Sequence, residues 1–581
     1  MPNHANPLCI FKLKPYLFKK EYLRDYKTLL KLDPCSCFQF ALIHNHPSYA
    51  NYQVELDEFQ EFVESSDAWE FYKETDYKYN LNSGRDYFHR DPYVKKAFKQ
   101  YDPATYYRYC DANKTPKTGS MYWSLLSYLY PISKVPRHSN HSFYASMSKA
   151  INHVFSNFDE SKPISVEEAI NVMPKNTSAG FNGLVFSGDG TRRKKEDILP
   201  FIRDQYYFNL NQIERGIYPN DYCMFAMRGH LSSRLKKKTR PVWLVSASTI
   251  VAELRYYTPF YDQINSKPFF KNMWITGPES LPRLNRYLRR HPDATFYNTD
   301  ISSWDSYRAS WFHEKIMRCL ERKLILNPLQ RKEYNYCVQS AIYTKVLFPD
   351  GTVYKKKAGI ISGTAGTLLF NSLLNTVASY IILNMMKYVS LDNQFDFVDK
   401  IIDPNWLGDD FSFYTYIAFD LDRFSRLMFM YFNLEMKPEK TIIAREMDDR
   451  KYLGYQLKSG FLYRPRKEFI QALLYTERPF PEEHGFSISF SRFFSYLLLG
   501  GINDYYILDF FYYYMGLYKD EASMVDDIYM TGIDNIFKLL KDVWNVKIPN
   551  FTLDTLRNIN LELMKYVLLY GYDLRFKDLN Y

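Results

Sequence analysis

Gly408-Asp409-Asp410 stands between two short aromatic-rich runs, residues 405–407 and 411–416. Apolar stretches meeting at such a turn read as a β-hairpin with both carboxylates at its tip. Two like charges side by side repel, and a bound cation relieves them. A plain surface turn would use the same residues, so the chemistry depends on what else the chain brings there. Thr295-Phe296-Tyr297-Asn298-Thr299-Asp300 reads as a strand ending in a carboxylate. Asp305 follows, where a helical pattern opens and runs to Leu320. Read for structure alone, Asp300 is a strand-end turn residue and Asp305 a helix N-cap.

Cations and hydroxyls recur at useful spacings. Lys236, Lys238 and Arg240 alternate, so an extended segment would point all three to one face before the apolar Pro241-Val242-Trp243-Leu244. Such a face suits a triphosphate; an exposed edge strand guarded by lysines fits the pattern equally. Gly359-Ile360-Ile361-Ser362-Gly363-Thr364-Ala365-Gly366-Thr367 is a glycine- and hydroxyl-rich loop opening an apolar helix. Thr367 and Asn371 share a face of that helix. Their polar groups need partners, either a neighbouring helix or a ligand hydroxyl. Asn176-Thr177-Ser178-Ala179-Gly180-Phe181 is a small-residue loop after a helical run at 166–172, of a kind that lets a phosphate chain come close. Thr191-Arg192-Arg193-Lys194-Lys195 reads as a solvated basic run. A polar turn at 433–441 carries Lys437 and Lys440.

The elements that must position these groups follow from pattern. Residues 342–348 and 352–356 form a hairpin across Pro349-Asp350-Gly351. Residues 421–431 are helical, 452–457 form a short strand with a possible mate at 461–463, and 464–581 is mostly helical. A hydrophobic content of 46% supplies ample core. The net charge of +10 favours polyanionic partners. Seven cysteines without regular spacing fit a reducing compartment better than a disulfide scaffold. Cys35-x-Cys37 with His44-x-His46 matches no standard zinc site, and buried thiols with surface histidines are the plainer account. The N-terminus lacks a secretory h-region. The most apolar stretches, 366–386 and 493–518, are interrupted by Asn371, Asn375, Asp504 and Asp509, so no membrane span is expected. A soluble intracellular protein is the expectation.

In this order the pieces resemble the motif series of the viral RNA-dependent RNA polymerases. In the family's lettering, 177–181 resembles motif G and 234–245 motif F. Asp300-x4-Asp305 within 295–305 resembles motif A, and Ser362-Gly363-x3-Thr367-x3-Asn371-Ser372 within 359–372 motif B. Gly408-Asp409-Asp410 within 406–413 resembles motif C, 433–441 motif D and 452–457 motif E. The Lys-x-Arg-Pro-Val-Trp form of motif F is most similar to the partitivirus–picobirnavirus group, whose genomes are double-stranded RNA. A reverse transcriptase would carry an aromatic at Asp305 and another at Gly408. A non-catalytic RNA-binding or capsid component would be expected to have lost a carboxylate, and none is missing.

The resemblance implies an α+β right hand with an antiparallel palm sheet, helices on one side of it, and a mostly helical thumb. It places an N-terminal extension and fingers at 1–245, the palm at 246–463 with a fingers insertion about 321–358, and the thumb and C-terminal region at 464–581. It implies RNA-directed RNA synthesis with two Mg²⁺ ions, Mn²⁺ being an expected substitute. Asp300 and Asp409 become the principal metal ligands, with Asp410 auxiliary. Lys238 and Arg240 would hold the incoming triphosphate, with Lys236 facing the same channel. Asp305 and Asn371 would read the ribose 2′-OH. Thr367 belongs to the same nucleotide site, and Ser362 and Gly363 to a flexible loop against the templating base. Lys440 is the implied general acid for pyrophosphate, with Lys437 its rival. Expected partners are RNA template and product, NTPs and a viral capsid protein; the expected location is the host cytoplasm or the virion interior.

Overall fold

Residues 411–414 are buried on both faces of a sheet, which explains why that run is continuously aromatic or small instead of alternating with charge. The structure is a computed structural model. It describes residues 67–79, 89–109, 113–114, 134–137, 139–229, 231–232, 239–275, 280–301, 304, 309–389, 394–436, 438–458, 461–476, 485–498, 501 and 504–523. Lys236, Lys238, Asp305, Lys437 and the Cys35/Cys37/His44/His46 group lie outside these residues.

The central sheet has four antiparallel strands in the order Ile402–Leu407, Asp410–Thr415, Thr295–Thr299, Ile442–Ala444. Stacked rings fix its register: Trp406 on Phe411 at 4.9 Å and Tyr297 on Phe413 at 5.1 Å. Such cross-strand aromatic pairs each contribute roughly 0.2–1 kcal/mol. One face packs in the main core with the helix Thr367–Met385. The other carries Phe296 and Tyr414 against Leu284, Tyr287 and Leu288 of the helix Ser280–Leu288. Helices were expected on one side only; here both faces are covered, which the buried Tyr414 and Ser412 require. Arg450, fully buried, donates to the carbonyls of Leu288, Arg290 and His291 and so ties down the approach to the Thr295–Thr299 strand.

A five-stranded sheet runs Trp69–Glu74, Thr352–Lys356, Lys345–Leu347, Cys223–Gly229, Thr239–Leu244. The hairpin expected around Asp350 forms as Lys345–Leu347 with Thr352–Lys356, turning at Gly351 with φ of 97°. The 166–172 helix forms as read and is closed by a capping box between Ser165 and Glu168. The 452–457 segment is not one strand: Leu453 and Gly454, with φ of 51° and 78°, turn it into a hairpin within a three-stranded sheet.

The helix after Asp305 also differs from expectation. As described it spans Ser310–Glu321 with Ala309 as N-cap, and Asp305 lies outside the described residues. The helices Pro92–Tyr101 and Pro103–Tyr109 share an aromatic core with Phe469, Phe490, Phe493 and Phe510 near the C-terminus. Buried Asp91 caps the first of these helices and pairs with Arg492 at 2.7 Å. Thr367–Met385 is long and apolar enough to cross a membrane, but most of it is buried inside the protein, and it serves as a core helix.

Candidate active site

Strand register assembles an acidic cluster at one end of the central sheet. Phe411 pairs with Thr299, so continuing by one residue sets Asp410 opposite Asp300. On the other flank Ile442 pairs with Asn298, and the same geometry carries Lys440 to Asp300, with Nζ 3.7 Å from Oδ2. Asp409 occupies the two-residue turn with Gly408, whose φ of 63° a glycine adopts without strain. The carboxylates feel one another. Burial first, then the charges of Asp409 and Asp300, push the Asp410 carboxyl up to about 7. Among the described residues no group of three or more His, Cys, Asp or Glu side chains is arranged to hold a metal ion by itself.

The helix Thr367–Met385 holds the turn from beneath. Ser372 Oγ accepts from the Gly408 N–H at 3.0 Å. Asn375 Nδ2 donates to the carbonyls of Gly408 at 3.0 Å and Asp410 at 3.3 Å. Sequence reasoning assigned neither residue a role. The available signal was a polar stripe, Ser372, Asn375 and Ser379, at helical spacing on an apolar helix.

Asn371 Oδ1 is buried with no hydrogen-bond partner, so the face expected to meet a ligand hydroxyl does present an unsatisfied acceptor. Thr367 behaves differently. Its hydroxyl is engaged by the loop itself, through the Ile361 and Thr364 carbonyls at 3.2 and 2.9 Å. Ser362 is exposed. Gly363 lies against the Thr239–Leu244 strand, where a Cβ would fall 1.8 Å from the Trp243 carbonyl oxygen. Gly180, with φ of 59°, meets the same segment, its Cβ position lying 2.4 Å from the Val245 oxygen. Two glycine loops therefore press on residues 243–245. Arg240 sits in an edge strand opposite Arg228.

The 191–195 run is not simply solvated. Lys195 is buried and donates to Thr177 Oγ1 at 2.8 Å, and burial pulls its pKa down to about 8. Backbone bonds from Ala179 to Arg193 and from Lys195 to Thr177 zip this run onto the 177–179 loop. Lys194 remains exposed, paired with Glu196.

The family model for viral RNA-dependent RNA polymerases matches residues 89–513, well over half of the chain. The chain belongs to that family. It is an RNA-directed RNA polymerase, with RNA as template and NTPs as substrates, and the reverse-transcriptase reading falls away. Solved structures share the right-hand fold. The polymerase of a human picobirnavirus aligns with a TM-score of 0.54 at 14% identity, covering 84% of this chain and 91% of its own. Its insertion-loop deletion mutant gives 0.55 at 15% identity, covering 82% and 95%. A Sicinivirus 3Dpol RNA-dependent RNA polymerase gives 0.51 at 16%, covering 66% of this chain and 81% of its own. At these identities the likeness is one of fold. No curated protein matches the chain. The right-hand fold with an antiparallel sheet is as the sequence resemblance implied.

Proposed function

We propose that the chain copies RNA by two-metal-ion nucleotidyl transfer, in replication and transcription of a viral RNA genome. The observation that carries this reading is the convergence of Asp300, Asp409 and Asp410 at one end of the palm sheet, with Lys440 alongside. The donor set fits magnesium. It offers hard carboxylate oxygens, burial and then the charges of Asp409 and Asp300 raise Asp410 to about 7, and Mg²⁺ completes its shell from water and substrate phosphates. Asp300 and Asp409 would hold the ions, with Asp410 assisting. When bound, two ions would supply charge neutralisation at the attacking 3′-oxygen and the leaving pyrophosphate.

The protein's own groups do the remaining work. Asn371 supplies a buried acceptor for the ribose 2′-OH, and Asp305 is proposed as its partner. Arg240, with Lys236 and Lys238, would hold the triphosphate in line for attack. Lys440, beside Asp300, would donate the proton that pyrophosphate departure requires. The test is nucleotide incorporation by the purified chain with rNTPs or dNTPs on RNA or DNA templates. Mg²⁺-dependent extension with rNTPs on RNA is expected; synthesis confined to dNTPs, or none with any divalent ion, would overturn the reading.

A further inference from the structure

We infer that Ser372 and Asn375 are positioning residues that fix the Gly408-Asp409 turn, and through it the reach of Asp409 toward Asp300. The inference rests on the metal-ligand reading above. The turn carries an electrostatic load, because strand register sets Asp410 opposite Asp300 with Asp409 in the adjoining turn. Packing does not resist that load at Gly408, where no atom lies within 4 Å of the position a Cβ would take. What does is a pair of contacts from the helix Thr367–Met385. Ser372 takes the Gly408 N–H and Asn375 takes the Gly408 carbonyl, so both polar backbone groups of one residue are gripped from one rigid element.

The grip is specific in polarity. Asn375 faces two carbonyls, those of Gly408 and Asp410, and must present its amide N–H₂ to them. Ser379 Oγ donates to Asn375 Oδ1 at 3.2 Å, which fixes that orientation. Ser372 and Asn375 are 1% and 0% exposed, so water does not compete for these bonds. Asn371 rides on the same helix one residue before Ser372. One element therefore sets both the ribose contact and the height of the acidic turn, which ties sugar position to metal-ligand position.

The test uses the full chain and four variants: Asn375→Asp, Asn375→Ala, Ser372→Ala and Ser372→Thr. Three measurements are made: single-nucleotide kinetics giving kcat and KM, hydrogen exchange of the backbone amide of Gly408, and melting temperature with its shift on adding Mn²⁺. Asn375→Asp keeps shape but turns an acceptor on two carbonyls, so kcat should drop about a hundredfold with KM within about twofold. Gly408 exchange should quicken in Ser372→Ala and in both Asn375 variants, and the Mn²⁺ shift should shrink. Ser372→Thr, which keeps the acceptor oxygen, should restore protection and rate. A folded Ser372→Ala enzyme with unchanged Gly408 exchange overturns the proposal, as does a folded Asn375→Asp enzyme with normal kcat. Lower melting temperature with kcat and exchange unchanged would mean a purely structural role and also overturns it. Should Asn375→Asp fail to fold, Ser372→Ala, which removes a single oxygen, decides the matter. Failure of the metal reading shows separately, as a wild-type enzyme with neither Mn²⁺ shift nor divalent-ion requirement.

Discussion

Lys440 Nζ stands 3.7 Å from Asp300 Oδ2, each side chain about half exposed. That contact admits two uses for the lysine: a proton donor to pyrophosphate, or a counter-charge that holds Asp300 in place. Arginine keeps the charge but does not give up a proton near neutral pH. Lys440→Arg and Lys440→Ala should therefore both lower kcat, by about a hundredfold or more, if the lysine is the acid. Near-normal kcat in Lys440→Arg would leave it only the counter-charge. Lys437→Ala, measured in parallel, should leave kcat close to wild type; a larger loss there would move the role to Lys437.

Asp300→Asn and Asp409→Asn should abolish nucleotide addition while leaving folding and RNA binding intact. An amide preserves shape and removes the charge that a divalent cation needs. Circular dichroism and filter binding check the first part, and extension assays in Mg²⁺ the second. Substantial Mg²⁺-dependent synthesis by either variant would remove that residue from the metal site.

Asp410 makes stability depend on pH in the less common direction. Its carboxyl titrates near about 7 in the fold and near about 3.9 in the unfolded chain. Between those values the folded state binds more protons, so this group's contribution falls as pH rises and levels off above about 7. Without divalent ions, melting temperature should decline between about pH 5 and about pH 8, and Asp410→Asn should flatten that decline. Added Mg²⁺ should recover stability at the alkaline end. An Asp410→Asn variant with the same slope as wild type would place the pressure elsewhere.

The parts of this site legible in the sequence were those carried by local pattern. Asp300 ends a strand, the Gly408 turn lies between two aromatic runs, and Thr367 and Asn371 fall on one helix face, each within a few residues of its own signal. The antiparallel sheet was legible only through the family resemblance, and its fourth strand was not read at all, because nothing local says that 442–444 pairs with 295–299. Asn375 was illegible for a different reason. A buried asparagine on an apolar helix looks the same whether it meets another helix or a catalytic turn, and its partners lie over thirty positions away. Lys195 was misread because charge runs are usually solvated, and nothing local shows that its ammonium is buried on Thr177 Oγ1.

Arg240 lies in the edge strand Thr239–Leu244 of the five-stranded sheet. If it contacts phosphate, Arg240→Ala should raise KM for all four NTPs together, since phosphate carries no base identity. Steady-state kinetics with each NTP in turn checks this. An effect confined to one nucleotide would make Arg240 a base or template contact.

Sugar choice is the sharpest remaining test, and the structure has changed its terms. The plainer account of Asp305 was a helix N-cap, yet the helix it was to cap begins at Ser310 with Ala309 as its N-cap. Asn371, meanwhile, keeps a buried oxygen without a partner. A site built to bond the 2′-OH leaves such groups unsatisfied when a deoxynucleotide enters, at about 1–3 kcal/mol each. Two of them together would discriminate by roughly a hundredfold or more. Asp305→Ala and Asn371→Ala should each cut kcat/KM for ATP strongly and for dATP much less, narrowing the ratio between them. The double variant should add little to either single one if the two residues serve one hydroxyl. Measuring both substrates on one RNA template, with melting temperature alongside, separates sugar reading from stability. An unchanged ratio in Asp305→Ala would remove that residue from the ribose site and leave Asn371 to act with another partner.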